Sequence, residues 1–226
     1  MLIQSTRVWL ADQFVAAQIE VEGTKINAIY PYNTKKVDKD YGDNRIVPGM
    51  IDVHCHGAYG FDTNDREDSG LRMWAKHLPD EGITAFLPTT VTQSEKVLKN
   101  ALVGVAEYMS KEQPGAQVLG VNFEGPYLNT KFKGAQPEQF IAVPTVEQFK
   151  EYQEAAKGNI KIITLATEKD PEHEVTRYAS ANGTVVSIGH SGATYDEAVM
   201  GVANGAMSMT HVFNGMTGFH HREPGL

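Results

Sequence analysis

PGMIDVHCHGAYG, residues 48–60, decides how this chain is read. A short apolar run ends in two histidines, His54 and His56, and glycines follow. Side chains two apart on a strand leave from the same face. Both imidazoles can therefore meet one metal ion, while Cys55 between them points the other way and reads as core. Downstream, TVVSIGH and AMSMTH end in His190 and His211, and QVLGVNFEGP carries Glu124 at the end of its own apolar run. Histidines and a carboxylate at the C-terminal ends of strands are what metal-assisted hydrolysis on a β/α barrel needs.

Working outward, residues 1–47 alternate in RVWLADQFV and QIEVEGTKINAIY, with breakers at Gly23, Pro31 and Gly42. That pattern predicts a small β-rich section. Residues 48–226 alternate between strand and helix, with strands expected near 50–54, 83–88, 117–123, 161–166, 184–189 and 206–210. Leu98, Ala101, Leu102, Val105 and Met109 fall on one helical face. Thr145 with Gln148, and Thr194 with Glu197, read as capping boxes; Asp170–Pro171 reads as a third helix start. Strand–helix alternation implies parallel βαβ units in an α/β fold. About six such units are visible, whereas a closed (β/α)8 TIM-type barrel has eight and takes about 250 residues. The expectation is an incomplete barrel over 48–226, truncated before its last strands, behind a β-section over 1–47.

Bulk properties narrow the partners. A net charge of −8 without a basic stripe argues against nucleic acid. One cysteine rules out an internal disulfide and suits the cytoplasm. The N-terminus MLIQSTRVWLADQF lacks the basic-then-apolar pattern of a signal peptide, and no run approaches the roughly 20 apolar residues of a membrane span.

Each candidate has a plainer reading beside it. A lone H-x-H also suits a polar turn, Glu124 also suits a loop, and His190 and His211 also suit satisfied core histidines; their shared position at strand ends favours ligation. Zinc is the natural metal for such donors, and iron, manganese or cobalt also fit. His77 lies in the helical LRMWAKHL and reads as packing or surface, and His173 reads as solvated. His220 and His221, beside Arg222, either reach the site or are exposed.

The stretches PGMIDVHCHGAYGFD, EGITAFLPTTVT, GVNFEGPYLNTKFKGAQ, VVSIGHSGATYDEA and MTHVFNGMTGFHHREPGL resemble the N-acetylglucosamine-6-phosphate deacetylases, a family of the amidohydrolase superfamily. The resemblance covers almost the whole chain, in order. It implies a metal-dependent hydrolysis of an amino-sugar phosphate that releases acetate and glucosamine 6-phosphate. It also implies a barrel flanked by a small β-sandwich, and a homodimer. The family's principal metal ligands fall on Glu124, His190 and His211, and His54 and His56 match the pair found in members with a second metal. Substrate contacts fall on Ala135, Gln136, Asn214 and Gly215; some members carry histidine where Gln136 stands. Arg222 matches an arginine that reaches the sugar phosphate bound by the neighbouring subunit. The family's proton-shuttling aspartate falls beyond Leu226, so no catalytic acid is assigned within the chain, which is expected to be inactive alone. Two alternatives accompany this reading. One is an N-acetylgalactosamine-6-phosphate deacetylase, since an epimer is read by few residues; the other is a non-catalytic metal-binding fragment.

Overall fold

Alternating apolar and polar residues over the first 31 positions produce three long antiparallel strands, β1 (Leu2–Leu10), β2 (Gln13–Glu22) and β3 (Lys25–Pro31). Two short strands, β4 (Lys39–Asp40) and β5 (Arg45–Ile46), run parallel to β1 and complete a mixed sheet. The computed structural model describes residues 1–226, and this sheet lies within the first of its two units, Met1–Gly49. Val8, Ala17 and Ile19 form the unit's small apolar core. Gln18 is also fully buried, and a buried amide needs partners. Its Nε2 donates to Gln4 Oε1 at 2.7 Å and Lys35 O at 2.8 Å, and its Oε1 accepts from Lys35 N at 3.0 Å.

The second unit, Met50–Leu226, is built from parallel strands and helices. Its strands are β6 (Met50–Cys55), a two-stranded ribbon of β7 (Gly57–Ala58) and β8 (Phe61–Asp62), then β9 (Ile83–Pro88), β10 (Gln117–Val118), β11 (Val121–Glu124), β12 (Ile160–Leu165), β13 (Val185–Ile188) and β14 (Ala206–Met209). Five helices intervene: α1 (Asp68–His77), α2 (Glu95–Met109), α3 (Val146–Ala155), α4 (Glu174–Ala181) and α5 (Tyr195–Ala203). One parallel sheet has the order β10-β9-β6 and the other β11-β12-β13-β14. A parallel bridge between Thr89 and Asn122 links the end of β9 to β11, so strand order in space follows strand order in sequence. All these strands therefore point their C-terminal ends the same way.

Period-2 alternation on β11 splits its residues between two environments. Val121 and Phe123 are fully buried in the apolar core that also holds Trp74, Leu98, Leu102, Phe149, Tyr152 and Ile163. Asn122 and Glu124 belong to the other face, where the candidate site lies.

Three local expectations are modified. The strand expected over 117–123 is two strands in different sheets, because the chain breaks at Gly120, whose φ of +153° favours glycine. The helix expected from Asp170–Pro171 begins later, at Glu174, after a turn with left-handed φ at Glu172 and His173. Asp170 still caps it from a distance, accepting from Thr176 N at 2.7 Å and Val175 N at 3.2 Å. The Thr194–Glu197 capping box is complete, whereas only half of the Thr145–Gln148 box forms. Thr145 accepts from Gln148 N at 3.3 Å, but the Gln148 side chain turns away to Tyr127 and Glu95. Thr145→Ala is accordingly expected to lower stability by about 1 kcal/mol, the usual worth of an N-cap. Urea unfolding measures it, and an unchanged midpoint would remove the cap from the account.

Candidate metal centre

Four strand ends deliver the donors. Glu124 is the last residue of β11, His54 lies within β6, and His56 follows it directly. His190 and His211 each lie two residues past β13 and β14, and each adopts left-handed φ, +48° and +37°. That conformation is uncommon for residues with a Cβ, and it marks these turns as held by their surroundings. The turn, rather than strand alternation, therefore sets where these two rings point.

The rings converge on one carboxylate. Glu124, 1% exposed, has Oε1 3.2 Å from His190 Nε2, 3.4 Å from His211 Nε2 and 3.7 Å from His54 Nε2. Its Oε2 lies 3.1 Å from His56 Nε2 and accepts from Gln136 Nε2 at 3.0 Å. Two donor groups follow, His54/His56/Glu124 and Glu124/His190/His211, each with its ligand atoms within 4.8 Å of one another.

The second atom of each ring fixes the proton. His190 Nδ1 donates to Phe132 O at 2.9 Å, His211 Nδ1 to Asn214 O at 2.7 Å, and His56 Nδ1 to Thr89 O at 3.1 Å. A carbonyl only accepts, so Nδ1 carries the hydrogen and the neutral ring aims an Nε2 lone pair at the carboxylate. His54 differs. Asn122 Nδ2 donates to Val53 O at 2.9 Å and to His54 Nδ1 at 3.3 Å, which puts the hydrogen of the neutral ring on Nε2. The Glu124/His190/His211 group is thus the better prepared of the two.

The same closeness shifts each group's pKa. Burial would raise the Glu124 pKa, but the imidazoles of His190, His56 and His54 beside it outweigh burial and hold the carboxyl well below its usual range. The Glu124 bond raises His56. Burial pulls His190 down, yet Glu124 and the Phe132 carbonyl leave it raised, while burial dominates at His54 and lowers it. Glu124 Oε1 is buried without a well-aligned hydrogen bond, and the Nε2 atoms of His190 and His211 face each other at 3.2 Å. An orphaned anionic oxygen beside lone-pair nitrogens is a donor set that fits a cation.

The other expected residues are more scattered. Gln136 is buried, and its side chain is committed at both ends: Oε1 accepts from Thr92 N at 2.7 Å while Nε2 holds Glu124. Gly215, at φ +60°, lies against the His190 ring, where a Cβ would sit 3.1 Å from Nδ1. Asn214 braces His211 through its carbonyl, and Ala135 is exposed beside Gln136. Arg222, His220 and His221 are exposed, the two histidine rings lying tilted against each other with centroids 4.3 Å apart. His77 packs against Tyr59 at the end of α1, and His173 occupies the N-cap position of α4 without a capping side-chain bond, both outside the donor groups. The carbonyl braces from Thr89, Phe132 and Asn214 had no signal in the sequence, because backbone acceptors carry none, and the side-chain amide of Asn122 meets His54 only through long-range pairing.

A parallel α/β unit with imidazoles and a carboxylate gathered at its strand ends defines a class of metal-dependent hydrolase. Residues 45–223 match the amidohydrolase family, and the chain belongs to it. Its members generally use a divalent metal. Among curated relatives, the chain is 44% identical over 189 residues to N-acetylglucosamine-6-phosphate deacetylase of Bacillus subtilis (strain 168), covering 81% of this chain and 47% of that protein. It is 35% identical over 220 residues to the Vibrio furnissii enzyme of the same name (96% and 54%). It is 33% identical over 218 residues to N-acetylgalactosamine-6-phosphate deacetylase of Escherichia coli O157:H7 (96% and 56%). The crystal structure of N-acetyl-D-glucosamine-6-phosphate deacetylase from Mycobacterium smegmatis superposes with a TM-score of 0.93 at 25% identity, covering 100% of this chain and 59% of that one. The chain spans about half the length of the relatives it matches. None of its helices is long and apolar enough to cross a membrane.

Proposed function

We propose that this chain carries the metal centre of an enzyme that hydrolyses the acetamide of N-acetylglucosamine 6-phosphate to acetate and glucosamine 6-phosphate. The observation that carries the reading is the buried Glu124 carboxylate ringed by imidazole nitrogens, three of whose rings are oriented by backbone carbonyls. Glu124, His190 and His211 hold the principal ion, and His54 and His56 offer a second position sharing Glu124. Zinc suits these ligands best; iron, manganese and cobalt fit the same donors. A divalent ion bound there would supply Lewis-acid chemistry, polarising the amide carbonyl and lowering the pKa of water.

The remaining residues prepare that chemistry. Gln136 fixes the carboxylate, which keeps an anionic oxygen turned toward the imidazoles. Ala135, Asn214 and Gly215 border the ligand turns and contact the sugar. Arg222, exposed and free to reach out, suits a bidentate grip on a sugar phosphate, including one held by the partner of a homodimer. A cytoplasmic setting is part of the reading, supported by the single cysteine. So is the wider architecture. Strands β6, β9 and β11 to β14 are taken as staves of a (β/α)8 barrel, with 48–226 the hydrolase section and 1–47 part of a small β-sandwich. The sequential strand order supports this.

The test is acetate release by the protein carrying this chain, with zinc supplied, from both epimeric substrates. Release is expected from N-acetylglucosamine 6-phosphate, lost on chelation and restored by zinc. The E. coli relative keeps the galactosamine epimer as the second reading, and faster release from that epimer would select it. A zinc-loaded protein that releases acetate from neither would sink both.

A further inference from the structure

Glu168 stands outside the ligand cluster, yet its carboxylate joins the segments that hold His190. Oε1 accepts from Asn129 Nδ2 at 2.9 Å and from Gly192 N at 2.7 Å, and Oε2 accepts from Ser191 Oγ at 2.7 Å. Ser191 and Gly192 directly follow His190 in the chain. Asn129 reaches His190 by two routes. Its own N–H donates to His190 O at 2.9 Å. Its Oδ1 accepts from Lys131 N at 3.0 Å, starting the short turn Thr130–Phe132 whose last carbonyl takes the His190 Nδ1 hydrogen.

His190 is thereby gripped at its carbonyl, at its ring and along the following backbone, and all three grips lead back to one side chain. Such a grip is needed, because His190 holds a left-handed φ of +48° without being glycine. The partners of Glu168 are neutral donors, so its charge serves hydrogen bonding rather than ion pairing. A carboxylate can accept at both oxygens at once, and no neutral side chain of the same shape does so.

We infer that Glu168 is a positioning residue of the metal centre, fixing the His190 turn so that Nε2 meets the ion beside Glu124. This rests on the metal-centre reading above. Outer partners that orient a ligand typically govern metal affinity by about 10–100-fold.

The experiment titrates the 226-residue chain with cobalt(II), following visible absorption for coordination geometry and circular dichroism for the fold. Glu168→Gln is expected to bind at least about 10-fold more weakly, with an altered visible band. Ser191→Ala, which removes one of the three donors, should shift affinity in the same direction by less. Thr145→Ala serves as the stability control and should leave affinity and band unchanged. Wild-type affinity and spectrum in both Glu168→Gln and Ser191→Ala would overturn the inference. If Glu168→Gln fails to fold, Ser191→Ala decides alone. A wild-type chain that binds no cobalt would instead overturn the metal-centre reading itself, a result separable from either variant's behaviour.

Discussion

Glu124→Gln is expected to abolish tight zinc binding. Both donor groups share this one carboxylate, so its loss dismantles the two candidate positions together. Glutamine keeps the shape but removes the charge. Its amide nitrogen would have to face either the Nε2 atoms now 3.2 and 3.4 Å from Oε1, or the Gln136 amide donating to Oε2 at 3.0 Å. The second arrangement sets donor against donor, and the first blocks the lone pairs that the ion needs. The affinity loss should exceed the roughly 10–100-fold that follows removal of an outer partner. Competition against a chromophoric chelator measures it. A variant that still takes up zinc with wild-type affinity would exclude Glu124 from the centre.

Phe123→Ala, one residue earlier on the same strand, should act on stability rather than on metal. Phe123 is fully buried and its ring centroid lies 4.8 Å from that of Tyr152, in the layer where β11 meets α3. Truncation removes the ring's transfer free energy and leaves a cavity that close-packed neighbours cannot fill. Together these cost about 3–5 kcal/mol. The shift in urea midpoint at constant slope is the readout. A loss below about 1 kcal/mol would mean that this layer collapses around the gap and that the packing described here is not what holds β11 in place.

That two adjacent residues act so differently was legible in the sequence, since period-2 alternation assigns Phe123 and Glu124 to opposite faces. Signals of this local kind held up well. The run at 83–88 is β9, and Thr194 with Glu197 forms its box because both partners lie within one turn. What depended on distant partners was not legible. Gln148 abandons its box for Tyr127 and Glu95, 21 and 53 residues away. The parallel pairing of β4 and β5 with β1 has no local mark either. The candidate donors could be picked out by type and by position after apolar runs. Their aim could not, because the left-handed turns at His190 and His211 are held by backbone carbonyls, that of the distant Phe132 for His190 and that of Asn214 in its own turn for His211, rather than by glycine. Glu168 was invisible for the same reason: TLATEK has no pattern that distinguishes a hub from a surface acid.

The donors come from residues 54, 56, 124, 190 and 211, so a cation held among them closes loops that run through nearly the whole second unit. The entropy lost in closing such loops is charged to the unfolded chain only when the tie persists there, and dispersed imidazoles bind weakly once the strands separate. An ion held there would act as a removable cross-link. A nascent chain cannot complete the Glu124/His190/His211 group until β14 and the turn carrying His211 have emerged, so that group would become available to a cation only after the other strands that feed it.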